Sequence, residues 1–154
     1  MANIQMTQHE EQPTAGVREQ VPIGDLQEFF GRAFQATMAY LQSHGLEAVG
    51  PPFGKYYGTP GETVDVEAGF PVAATIAAEG IVAPGVLPAG EVVETVHVGS
   101  YETMHRSYSE LEHHFADAGL KPGSIMWESY LSDPAAEPDP RTWQTRICWP
   151  VSET

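Results

Sequence analysis

Two stretches of the chain carry apolar residues at helical spacing, and strand-like runs follow each of them. Phe30, Phe34, Met38 and Leu41 recur at the interval of one helix face, and Met104, Tyr108, Leu111 and Phe115 do the same. Each stripe stops at a glycine, Gly45 or Gly119, the residue type that best accepts the left-handed backbone with which helices end. Residues 53–58 and 125–131 then predict a strand, Pro60 and Asp133-Pro134 a turn, and residues 64–72 and 143–150 a returning strand. Ahead of the helices, Ile4 to Gln12 with Gly16 to Val21, and Ala73 to Val82 with Glu91 to Val98, predict two further strand pairs. The plan is ββαββ, written twice, and it predicts an α+β fold with antiparallel sheet and two main helices.

The two halves align with one another. "HGLEAVGPPFGKYYGTP" (His44 to Pro60) lies over "AGLKPGSIMWESYLSDP" (Ala118 to Pro134) without a gap, pairing Gly45 with Gly119 and Tyr56 with Tyr130. Upstream the same shift pairs Arg32 with Arg106, Phe34 with Tyr108 and Leu41 with Phe115. Downstream, "VDVEAGFPV" (Val64 to Val72) matches "WQTRICWPV" (Trp143 to Val151) after a short insertion. Shared order, spacing and residue class define an internal duplication. The expected organisation is one domain, residues 1–154, with a first repeat over about residues 1–72 and a second over about 73–151.

Charge then narrows the partners. Seven Lys and Arg stand against 21 Asp and Glu, a formal charge of −14, which disfavours direct nucleic-acid binding because that is driven by cationic groups on phosphates. There is no apolar run long enough to span a membrane and no secretory leader pattern, so the expected location is the cytoplasm. A lone Cys148 suits a reducing compartment and reads as a buried structural thiol, with no histidine near it in sequence. Glu102 with His105, and Glu110 with His113 or His114, have ligand spacing on one helix but no complementary set elsewhere. No metal and no cofactor are expected.

The one polar residue out of keeping with its surroundings is Glu128, inside the aromatic strand "MWESYLSDP". Strand alternation places Met126, Glu128 and Tyr130 on one face and Trp127, Ser129 and Leu131 on the other. Its counterpart in the first repeat is Gly54, so the strand-turn frame does not itself require the carboxylate. A symmetric hairpin register sets Glu128 directly opposite Arg146, an ion pair that would hold the carboxylate charged and partly neutralised.

The segments "GPPFGKYYG" (Gly50 to Gly58), "VEAGFPV" (Val66 to Val72), "HVGSYETM" (His97 to Met104), "WESYLSDP" (Trp127 to Pro134) and the closing "WPV" occur in order on this duplicated frame. In these motifs the chain resembles the GyrI-like family, the effector-binding domain of multidrug-responsive bacterial transcription regulators. The resemblance implies a duplicated SHS2-type fold with a central ligand cleft, lined by aromatic rings and holding a functional Glu that corresponds to Glu128. It implies a stand-alone member, because no DNA-reading unit precedes the domain in this sequence. The family usually carries an acid where this chain has Arg146, as the first repeat does at Glu67, so a Glu128–Arg146 pair would weaken any preference for lipophilic cations.

The resulting expectation is a binder of aromatic or amphipathic small molecules, with Glu128, Tyr130, Tyr56, Phe53, Gly54, Trp127, Trp143, Arg146 and Glu67 as candidate ligand-binding residues. Two alternatives stay open: a hydrolase of strained molecules such as cyclopropane-bearing natural products, using Glu128 and Tyr130 as catalytic residues, and a protein-interaction module acting on gyrase.

Overall fold

The computed structural model describes residues 4–58, 61–132 and 136–152; the turns expected at Pro60 and Asp133-Pro134 lie outside them. The element order is the expected ββαββ repeated: β1 (Gln5–His9), β2 (Gln12–Pro22), α1 (Leu26–Ser43), β3 (Phe53–Tyr57) and β4 (Thr63–Pro71), followed by β5 (Ala83–Leu87), β6 (Gly90–Val98), α2 (Met104–Ala118), β7 (Ile125–Tyr130) and β8 (Gln144–Pro150). The chain forms two compact units, Glu10–Ala89 and a second made of the residues up to His9 with those from Gly90 onward.

In the Glu10–Ala89 unit the antiparallel strands run in the order β3, β4, β2, β5, and α1 covers one face. The helix buries Phe29, Ala33, Thr37, Tyr40 and Leu41 against Val17, Val66 and Ala68. Its stripe is therefore rotated from the expected one: Phe30 and Phe34 pack at its margin, and Met38 is 37% exposed. Gly45, at φ 65°, ends the helix, and the Leu46 N–H returns to the Leu41 carbonyl at 2.8 Å. On the reverse face Gly16 and Gly69 stand opposite each other, so close that a Cβ on Gly69 would lie 2.0 Å from the Ala15 carbonyl oxygen.

In the other unit the order is β1, β6, β8, β7, with α2 packed on one face. Met104, Leu111 and Phe115 meet Val93 and Ile147, each burial contributing about 1.5–3 kcal/mol. Tyr108 joins them only at the edge, and Ser107 takes the deeper position on α2. Gly119, at φ 70°, closes α2 as Gly45 closes α1.

The strand pairings ahead of the helices differ from expectation. β1 pairs with β6 rather than with β2, and β5 pairs with β2 rather than with β6. Residues 73–82 form only an isolated bridge between Glu79 and Val82; the strand begins at Ala83. Only Glu10 and Glu11 separate β1 from β2, yet the chain changes units there, so sequence neighbours part instead of closing a hairpin. No helix among the described residues is long and apolar enough to cross a membrane.

Candidate functional site around Glu128

The register of β7 on β8 decides what Glu128 meets. Trp127 faces Cys148, Glu128 faces Ile147, and Ser129 faces Arg146. This matches the first repeat, where Gly54 faces Ala68 and Lys55 faces Glu67. The expected Glu128–Arg146 pair is thus off by one residue, and in a pleated sheet a one-residue shift puts the two side chains on opposite faces. The offset is fixed at the hairpin end, where Leu131 N–H donates to the Gln144 carbonyl and Gln144 N–H to Ser132 Oγ. Arg146 is exposed on the face away from α2.

Glu128 points to the α2 side, beside Ile147, and is 8% exposed. Tyr108, from α2, donates its hydroxyl to Glu128 Oε2. Tyr130, two residues along the same strand face, donates to Oε1 at 2.9 Å. Burial pushes the carboxyl above the ordinary Glu range, and the two phenolic hydrogen bonds work against that rise by favouring the charged form. Among the described residues no Arg, Lys or His forms an ion pair with it.

Aromatic rings extend from this centre. Tyr108 meets Trp149 edge to face at 6.4 Å, and Phe115 meets the same indole at 5.5 Å. Tyr101 lies edge-on to Tyr130 at 6.1 Å and tilted against Trp143 at 5.0 Å. Tyr101 and Trp143 line an open groove of about 760 Å³, with Arg141 and Asp139 at its rim. Glu128 does not line that groove; Tyr130, which donates to Glu128, contacts Tyr101 on the groove wall.

Trp127, a candidate ligand-binding residue, lies on the sheet face opposite Glu128, as strand alternation predicts, 2% exposed and edge-on to His9. In the Glu10–Ala89 unit, Gly54 and Tyr56 share the α1 face, where Tyr56 packs against the core. Phe53 and Glu67 point to the reverse face. There Glu67 accepts the Tyr57 hydroxyl at 2.6 Å, Lys55 donates to the Val86 carbonyl at 2.6 Å, and Arg18 lies over the Tyr57 ring at 3.6 Å while binding Asp65 through two nitrogens. Burial lowers the Lys55 ammonium and, with Glu67, raises the Tyr57 phenol. Glu67 is thereby occupied within its own unit.

Two residues central to this site, Tyr108 and Tyr101, are absent from the sequence-derived set. Tyr108 had a readable signal. The duplication sets Phe34 against Tyr108 and Gly54 against Glu128, so the second copy gains a hydroxyl and a carboxylate together. Tyr101 lies in a 3-10 turn ahead of α2, where no repeat partner marks it. The structure also brings His9 and Glu94 to Cys148, a neighbourhood that sequence spacing does not show.

Residues 2–152 match the GyrI-like small-molecule-binding domain. No curated protein matches the chain at a significant level. Among solved structures, the EcmrR C-terminal domain superposes with a TM-score of 0.86 at 21% identity, over 100% of this chain and 99% of that one. EcmrR in its DNA complex superposes with a TM-score of 0.85 at 22% identity; the match covers 99% of this chain but spans only 58% of EcmrR. SAV2435 bound to tetraphenylphosphonium superposes with a TM-score of 0.72 at 15% identity, over 98% of this chain and 94% of that one. These likenesses share the α+β architecture described above, and the match across residues 2–152 makes the chain a member of the GyrI-like small-molecule-binding domain family.

Proposed function

We propose that this domain binds lipophilic aromatic cations, with Glu128 as the charged anchor and Tyr108, Tyr130, Tyr101 and Trp143 as the aromatic surroundings. The observation that carries the reading is the buried Glu128 carboxylate, bonded by two phenols and, among the described residues, paired with no cation. A buried carboxylate without a counter-charge is costly, so a cation brought to it recovers interaction energy that the protein alone leaves unused. Aromatic rings add an apolar, electron-rich surface for the body of such a ligand. The bound tetraphenylphosphonium of SAV2435 supports this ligand class for a related fold. The displaced Arg146 removes the reason to expect weakened cation preference.

Titrating intrinsic tryptophan fluorescence with tetraphenylphosphonium tests the proposal. Saturable quenching is expected for the native protein, with affinity at least about tenfold lower in Glu128→Gln, the size of one lost charge-assisted contact. Equal affinity in the two proteins would refute the anchoring role.

A further inference from the structure

On the sheet face opposite α2, three different metal-ligand types converge from three adjacent strands. His9 comes from the end of β1, Glu94 from the middle of β6 and Cys148 from β8. Glu94 and Cys148 are direct cross-strand partners, and their side chains share the face with Trp127. His9 Nε2 stands 3.0 Å from Glu94 Oε2, Cys148 Sγ stands 3.5 Å from the same oxygen, and the ligand atoms all lie within 4.8 Å of one another. Tetrahedral zinc with ordinary bond lengths needs donor atoms about 3.3–3.6 Å apart, so small side-chain rotations close the set.

The internal duplication shows that the scaffold does not demand these residues. By register, Cys148 occupies the place of Gly69 and Glu94 that of Gly16. In the first copy those two positions are bare and in backbone contact; in the second they carry a thiol and a carboxylate aimed at each other. The flanking strand β1, which stands on β6 as β5 stands on β2 in the first copy, supplies the imidazole, edge-on to Trp127 at 5.8 Å. The side chains of His9 and Glu94 are 28% and 20% exposed, so solvent reaches both, while Cys148 is buried.

We propose that His9, Glu94 and Cys148 form a three-ligand site for a borderline transition-metal ion, zinc foremost, which pins β1 to β6 and β8. A mixed N, O and S donor set suits zinc better than magnesium or calcium, which take oxygen ligands. On binding, the ion replaces the thiol proton, which leaves to solvent as the sulfur–metal bond forms.

The test uses the full chain and cobalt(II) as a spectroscopic probe. Expected are a thiolate-to-cobalt charge-transfer band that saturates at one equivalent, its loss on adding zinc, and a zinc-dependent rise in the melting temperature of the native protein. Cys148→Ser abolishes the band, and His9→Gln weakens cobalt binding by at least about tenfold. His9 lies on a partly exposed edge strand, so His9→Gln decides the matter even if Cys148→Ser fails to fold. Absence of the band at saturating cobalt, or binding unchanged in His9→Gln, would overturn the site and point to surface histidines such as His113 and His114.

Discussion

Tyr108 on α2 donates its hydroxyl to the carboxyl group of Glu128 on β7, joining the helix to the strand through an acidic group in the interior. Folding raises the Glu128 pKa above its ordinary value, so between the unfolded and folded pKa values the native state holds more protons than the unfolded one. Stability attributable to this group is therefore complete below the ordinary carboxylate range and lost as pH rises through the folded pKa. Glu128→Gln removes that loss. Urea denaturation should find the variant more stable than the native protein at pH values above the raised Glu128 pKa, with the difference vanishing in acid.

Tyr108→Phe restores the residue that the first copy carries at Phe34 and deletes one donor to the buried carboxylate. The hydroxyl stabilises the charged form of Glu128, so the cost falls where Glu128 is ionised. Denaturation at a pH above the raised Glu128 pKa should show a loss of about 1–3 kcal/mol, and a smaller loss at a pH where Glu128 is protonated. An equal loss at both values would mean that the phenol acts by packing alone.

Cation binding should follow the same titration in the opposite sense. Only the ionised carboxylate attracts a cation, so affinity for tetraphenylphosphonium rises with pH through the raised Glu128 pKa and then levels off. Calorimetric titrations across that range provide the check, and a flat profile would separate binding from Glu128.

Two glycines give opposite expectations from their surroundings. A Cβ at Gly69 would meet the Ala15 carbonyl oxygen at 2.0 Å and Gly16 Cα at 2.5 Å, both backbone atoms that cannot turn aside. Gly69→Ala should cost at least about 3 kcal/mol or prevent folding, by the overpacking of strands that are already in contact. At Gly31, within α1, a Cβ would meet nothing within 4 Å. Gly31→Ala should stabilise the helix by about 0.5–1 kcal/mol. Thermal melts of the two variants test both.

The element order, both helix stops and the strand pair that follows each helix were legible because each rests on local chemistry: periodic apolar residues, Gly45 and Gly119, and strand alternation. Pairing was less legible. β1 and β5 find long-range partners, which no local pattern specifies, and the proximity of His9, Glu94 and Cys148 depends on that pairing. Alternation placed Glu128 and Tyr130 on one face correctly, but the cross-strand register turned on hairpin-end hydrogen bonds that the sequence does not display. Comparing the copies pair by pair, rather than one position at a time, would have added Tyr108 to Glu128.

In the proposed function, preference for positive charge rests on Glu128. Isothermal calorimetry with tetraphenylphosphonium and with uncharged triphenylphosphine oxide, on the native protein and on Glu128→Gln, tests this most directly. The native protein should bind the cation more tightly than the neutral oxide, and the variant should lose that preference by at least about tenfold. A preference for the cation that survives intact in Glu128→Gln would contradict the anchoring role.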